Sequence, residues 1–131
     1  MDGAILLIDS DLGYAFWLSQ ALDHASFQTF PARSIADGET LLRELHLSVD
    51  VLVLDCALPG ASALIEKVQR QRKPLRVICL NGERRHRCIP GVHGPCRKVA
   101  EFNEQSRMNW VQEFRGLLSY ECERHSSVVR Q

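Results

Sequence analysis

Apolar positions follow two patterns along this chain: short runs apolar at nearly every residue, and longer stretches apolar at every third or fourth. The clearest run is Val49 to Gly60, VDVLVLDCALPG, in which an unbroken apolar segment ends in Asp55 and a Pro59-Gly60 turn follows. A one-sided strand would carry polar residues at alternate positions, so this run predicts a parallel strand buried on both faces. Ala4 to Asp9, AILLID, is a second such run, and it too ends in an acid. Between them, Ala15, Leu18, Leu22 and Ala25 give Leu12 to Ser26 one apolar helical stripe. Gln28 to Arg33 is a short strand, placed at a sheet edge by Pro31, which cannot donate to a ladder.

Ser34, with Asp37 three residues on, predicts a helix start, and Leu41, Leu42 and Leu45 form that helix's buried face. Leu64, Ile65 and Val68 mark a third helix, closed near Pro74, and Leu75 to Leu80 a fourth strand. From Asn81 to Lys98 three glycines and two prolines interrupt any period, so this stretch reads as irregular, with at best a short helix at Arg84 to Arg87. Val99 to Phe102 reads as the fifth strand. Arg107 to Glu123 recovers a helical stripe through Val111, Phe114, Leu117 and Leu118. The expected organisation is one domain over residues 1–124 with a loose tail at 125–131. Strands alternating with helices imply an α/β fold, a doubly wound parallel sheet covered on both sides.

Composition narrows the classes. The chain has 131 residues, enough for one domain with a real core, and 16 basic against 16 acidic residues, so no net field draws it to nucleic acid or an anionic membrane. No apolar run is long enough to cross a bilayer, and Met1-Asp2-Gly3 lacks the basic start of a secretory signal, which points to a cytoplasmic protein. Five cysteines, an odd number at irregular spacings, predict reduced thiols, several of them buried.

Asp55 is the leading candidate for chemistry, because the carboxyl ends of strands in open α/β sheets form the crevice where ligands bind. Asp9 ends a neighbouring strand and brings a second carboxylate to the same rim. With the Leu58-Pro59-Gly60 turn and the segment ADGETLLRELH, these residues resemble the receiver domain of bacterial two-component response regulators. The resemblance covers Ala4 to Leu80 and returns in Trp110 to Leu118. It implies a flavodoxin-like sheet of order 2-1-3-4-5 and a phosphoacceptor at Asp55, with a histidine kinase or phosphotransfer protein as donor in phosphorelay signalling. It further implies Mg²⁺ held by Asp9, Asp55 and the main-chain carbonyl of Ala57, with Asp11 as a further candidate ligand. Such a protein is not an enzyme beyond its own phosphorylation and dephosphorylation. Acidic ligands and a cation suit this chemistry, since charge on the incoming phosphoryl group must be offset.

The sequence departs from the family at three places. Receivers carry two adjacent acids after the first strand, where this chain has Asp9-Ser10, and Asp11 is as well placed to favour a helix start. Asn81 stands where the family has Thr or Ser after the fourth strand. Asn103-Glu104 falls where the family has Lys-Pro, while Lys98, the only lysine nearby, would leave an implausible strand before it and an overlong loop after it. These departures support an alternative, a degenerate receiver that binds a partner without phosphorylation. A flavin-binding relative is disfavoured, because no Ser/Thr/Gly-rich phosphate loop follows the first strand.

His86, Cys88, His93 and Cys96 offer four zinc-ligand types, but their spacing matches no common finger and zinc is not expected. The same loop holds Arg84, Arg85, Arg87, Arg97 and Lys98, a solvated basic surface by default and a docking site for an acidic partner as the sharper reading. A downstream partner is expected along the region from the fourth strand to the last helix, with room for a homodimer, and no direct nucleic-acid or membrane contact. Too few residues follow the last helix to fold as an output domain, which suggests a stand-alone receiver or a segment of a longer protein.

Overall fold

The computed structural model describes residues 3–44, 49–70, 75–80, 92–96 and 102–130, with backbone alone for 92–96 and 119–130. Five parallel strands, β1 (Gly3–Ile8), β2 (Phe27–Ala32), β3 (Val51–Asp55), β4 (Arg76–Leu80) and β5 (Val92–Cys96), form one sheet of order β2-β1-β3-β4-β5. The helices are α1 (Leu12–His24), α2 (Ile35–Glu44), α3 (Ala61–Gln69) and α4 (Glu104–Arg130).

The doubly apolar strands feed two core layers, because successive side chains on a strand point to opposite faces. Ile5, Leu7, Val51, Val53, Ile78 and Leu80 pack with Leu18 and Leu22 of α1 and with Trp110 and Phe114 of α4. Leu6, Ile8, Leu52, Leu54, Val77 and Cys79 pack on the other face with Ile35 of α2 and Leu64, Ile65 and Val68 of α3. Leu41 and Leu42 are partly buried against that second layer. Trp110 stacks on Phe114 with centroids 5.2 Å apart, and Trp17 stacks on Phe102 at 5.3 Å, so both tryptophans act in packing.

Helix starts follow the expected chemistry. Ser34 Oγ accepts from the Asp37 N–H at 3.1 Å, the cap read from the Ser34/Asp37 spacing. β2 lies at the sheet edge, where Pro31 is tolerated.

The fifth strand requires a correction: the strand that pairs with β4 is Val92–Cys96, and of the expected Val99 to Phe102 only Phe102 is among the described residues. The segment VHGPC holds a glycine and a proline and no apolar alternation, but as the opposite edge strand it needs a ladder on one side only, and its register shifts between Ile78 and Leu80. The last helix is also longer than its apolar stripe, starting at Glu104 and running to Arg130 where a loose tail was expected. Neither Gly nor Pro occurs after Gly116, so nothing in the backbone chemistry ends the helix sooner. The expected helix at Arg84 to Arg87, Leu45, Asn81, Lys98 and the zinc candidates His86 and Cys88 lie outside the described residues. None of the helices described is long and apolar enough to cross a membrane.

Candidate functional site

The carboxyl ends of β1 and β3 build the site. The two strands pair in parallel with Ile8 opposite Leu54, so Asp9 and Asp55 each follow the last matched pair on adjacent strands. Neighbouring strands lie about 4.8 Å apart. By alternation, both aspartates fall on the side of the sheet that carries Ile5, Leu7, Val51 and Val53. The two acids read from sequence as sharing one rim therefore do share it.

Their surroundings differ. Asp9 is fully buried and is the only buried charged residue among those described. Its N–H donates to the Ala32 carbonyl at 3.0 Å, extending the β1–β2 ladder by one residue, and its Oδ1 accepts from the Asp11 N–H at 2.9 Å. Asp55 is half-buried. Its Oδ1 accepts from the Ala57 N–H at 2.9 Å, a side-chain turn that folds the chain back over the strand end. The Asp55 carbonyl accepts from Leu58 N–H at 3.1 Å, and the Leu58 carbonyl accepts from Ala61 N–H at 3.1 Å, which leads directly into α3. Gly60 makes this possible with φ of +87°, in the left-handed region that L side chains avoid.

Asp11 sits elsewhere in the scheme. It is the N-cap of α1, with its side chain accepting from the Tyr14 N–H at 3.1 Å. Among the described residues, no group of three or more His, Cys, Asp or Glu side chains is arranged to hold a metal. Ser10 is exposed beside Asp9 and Asp11. The carboxylates of Asp9 and Asp55 and the Ala57 main-chain carbonyl are hard oxygen donors of the type Mg²⁺ takes.

Asn103 requires a further correction. Its Oδ1 accepts from Ser106 N–H at 2.9 Å and its carbonyl from Arg107 N–H at 3.0 Å, so it starts α4. The chain segment that follows β5 begins at Arg97, because β5 ends six residues earlier than its expected position.

Sequence reasoning also missed a cysteine pair. Cys56, next to Asp55, and Cys79 on β4 are joined as a disulfide with Cα atoms 5.7 Å apart, where reduced thiols were expected. The signal was available in the strand pairing: Leu54 lies opposite Cys79, and Cys56 is two residues further along the same face. A groove of about 440 Å³ between α1 and α4, lined by His24, Ala25 and Arg115, does not include the site.

No protein-family model and no curated protein matches this sequence. Solved structures do. A response regulator from Thermotoga maritima is similar with a TM-score of 0.70 at 14% identity, over 91% of this chain and 99% of that one. A response regulator receiver domain protein from Clostridium thermocellum gives 0.64 at 19% identity, over 88% and 98%. The non-phosphorylated HemR receiver domain from Leptospira biflexa gives 0.61 at 23% identity, over 86% and 93%. With its sheet order, its paired acids and these likenesses together, the chain has the fold of response regulator receiver domains.

Proposed function

We propose that this chain is a receiver in a phosphorelay and that Asp55 accepts a phosphoryl group from a phosphohistidine of a kinase or phosphotransfer protein. The observation that carries the reading is the pairing of β1 with β3, which sets Asp9 beside a half-exposed Asp55 at the carboxyl rim. In the transfer, an Asp55 carboxylate oxygen attacks phosphorus, the P–N bond breaks, and the imidazole leaves with a proton. Bound Mg²⁺, held by Asp9, Asp55 and the Ala57 carbonyl, would supply positive charge to offset that of the phosphoryl group. The turn from Asp55 to Ala57, closed by the hydrogen bond from the Ala57 N–H to Asp55 Oδ1, orients the nucleophile. The acyl phosphate adds nearly two negative charges at the rim, and new partners for that charge would re-arrange the surface that a downstream protein reads.

A second reading is favoured by a specific observation. The Asp11 carboxylate is committed to the cap of α1, and Ser10 occupies the place of the family's second acid. A rim with two carboxylates holds a divalent ion less firmly than one with three, which suits a degenerate receiver whose partner contacts do not depend on phosphorylation.

Intact mass after incubation with Mg²⁺ and a small acyl phosphate separates the two. The phosphoacceptor reading expects one phosphoryl group on the wild type and none on Asp55→Ala. A wild-type protein that stays unlabelled at saturating Mg²⁺ refutes it in favour of the binding module.

A further inference from the structure

The disulfide partners Cys56 and Cys79 occupy a position that the phosphoacceptor reading leaves unused. Cys56 is the residue between Asp55 and Ala57, inside the turn closed by the Asp55 side chain. Cys79 is on β4, one residue before Leu80, which is the residue paired with Asp55. Their Cα separation of 5.7 Å is the distance a disulfide spans. Cys56 is 8% exposed and Cys79 1%, so the thiol nearer the rim meets a solvent-borne oxidant first. We propose that Cys56 and Cys79 are a reversible dithiol–disulfide couple, oxidised by a peroxide, that fixes or frees the turn after Asp55.

The chemistry balances. The Cys56 thiolate attacks one peroxide oxygen, the O–O bond breaks, and Cys56 becomes a sulfenic acid as one water leaves. The Cys79 sulfur then attacks the Cys56 sulfur, the S–O bond breaks, and a second water carries off the remaining thiol proton. Two thiols lose two electrons in total and one hydrogen peroxide becomes two waters. A dithiol reductant reverses the step by exchange through a mixed disulfide.

The cross-link acts through geometry. In the dithiol form the Asp55–Gly60 segment is held by the hydrogen bonds of Ala57, Leu58 and Ala61. In the disulfide form its second residue is also tied to the neighbouring strand, so the segment cannot open without distorting β4. Any process that requires the Ala57 main chain to move, as Asp55 phosphorylation would under the receiver reading, is slower in the oxidised protein. That last consequence rests on the receiver reading, whereas the couple itself does not.

The test uses the full chain, treated with hydrogen peroxide or with dithiothreitol. Non-reducing peptide mapping is expected to find Cys56 linked to Cys79 after peroxide, with a loss of two hydrogens in mass that dithiothreitol restores. Amide exchange over residues 56–61 should be about tenfold slower in the oxidised wild type, with no such change in Cys79→Ser. Absence of the linked peptide, or unchanged exchange in the oxidised wild type, overturns the proposal, and neither readout depends on how well a variant folds. Acyl-phosphate labelling of the same two samples should be several-fold slower after oxidation. If Asp55 takes no label in either state, the receiver reading fails while mass and exchange still judge the couple.

Discussion

Gly38 tests how α2 is seated over the carboxyl end of β1. A methyl group at this position would lie 2.4 Å from Ile8 Cδ1 and 3.1 Å from Ile8 Cγ1. Two effects oppose each other when Gly38 is replaced by alanine. Removing glycine from a helix interior favours folding by about 1 kcal/mol, through backbone entropy. Overpacking a dense core costs about 1–3 kcal/mol. Here Ile8 has no exposed surface and is enclosed in the layer with Leu6, Leu54 and Ile35, so its terminal methyl has no solvent to swing into. The overlap should win, and Gly38→Ala should lose about 1 kcal/mol, or about 3 °C in Tm for a chain of this size.

The pairwise nature of the clash supplies the control. Ile8→Val removes the Cδ1 atom alone and by itself should cost about 1 kcal/mol. In the double variant the closest contact is gone and the helical gain remains, so the double should be at least as stable as Ile8→Val. The coupling energy is then about 1–2 kcal/mol, read from urea unfolding with an unchanged m-value. A stabilised Gly38→Ala, or single effects that add within about 0.5 kcal/mol, would show that α2 is not packed on β1 as described.

Two backbone positions should respond with opposite signs. Gly60 at φ +87° has ordinary space around an added methyl, so Gly60→Ala should cost about 1–2 kcal/mol from left-handed strain alone, measured by chemical unfolding. Ser26, at φ +73° just past α1, is the one non-glycine described in that region, and Ser26→Gly should gain about 0.5–1 kcal/mol in the same assay. Loss of the α1 cap in Asp11→Ala should cost about 1 kcal/mol yet leave acyl-phosphate labelling of Asp55 in place. Labelling abolished in a folded Asp11→Ala would mean that this carboxylate reaches the reacting group after all.

The parts legible in the sequence were those under pressure from both sides. Gly3–Ile8 and Val51–Asp55 are apolar at each buried position because helices cover both faces, and that signal also marked where the two acids follow. Edge elements carry no such pressure. Val92–Cys96 pairs on one side only, which let a Gly-Pro segment serve as a strand and moved the expected fifth strand too far along the chain. Asn103 was placed wrongly for the same reason, since counting back from the last helix assumed that its apolar stripe marked its start. Asp11 was ambiguous because an acid before a helix suits both a ligand and a cap, and the hydrogen bond from Tyr14 N–H shows the cap. The cysteine pair was hidden because strand register, unlike spacing, is invisible until the sheet is assembled.

Burial divides the work between the two acids at the rim. Under the proposed reading a phosphoryl donor would be a side chain of another protein; Asp55 keeps solvent exposure to meet it, whereas Asp9 is fully buried beside the start of α1. Asp9 is therefore suited to holding charge and Asp55 to attack. Ser10 is exposed at this rim, where one more carboxylate could face an ion held by Asp9 and Asp55 under the proposed reading. Ser10→Asp should raise the attraction for Mg²⁺, because even one added charge at contact distance near a protein surface is worth several-fold in affinity after solvent screening. Half-maximal acyl-phosphate labelling should then need about tenfold less Mg²⁺ than in the wild type. Label on Ser10→Asp with none on the wild type would make charge the missing element and the native chain a phosphorylation-independent binder. If the two proteins label identically across the Mg²⁺ titration, the side chain at position 10 does not face the ion, and the assignment of this rim as its site is wrong.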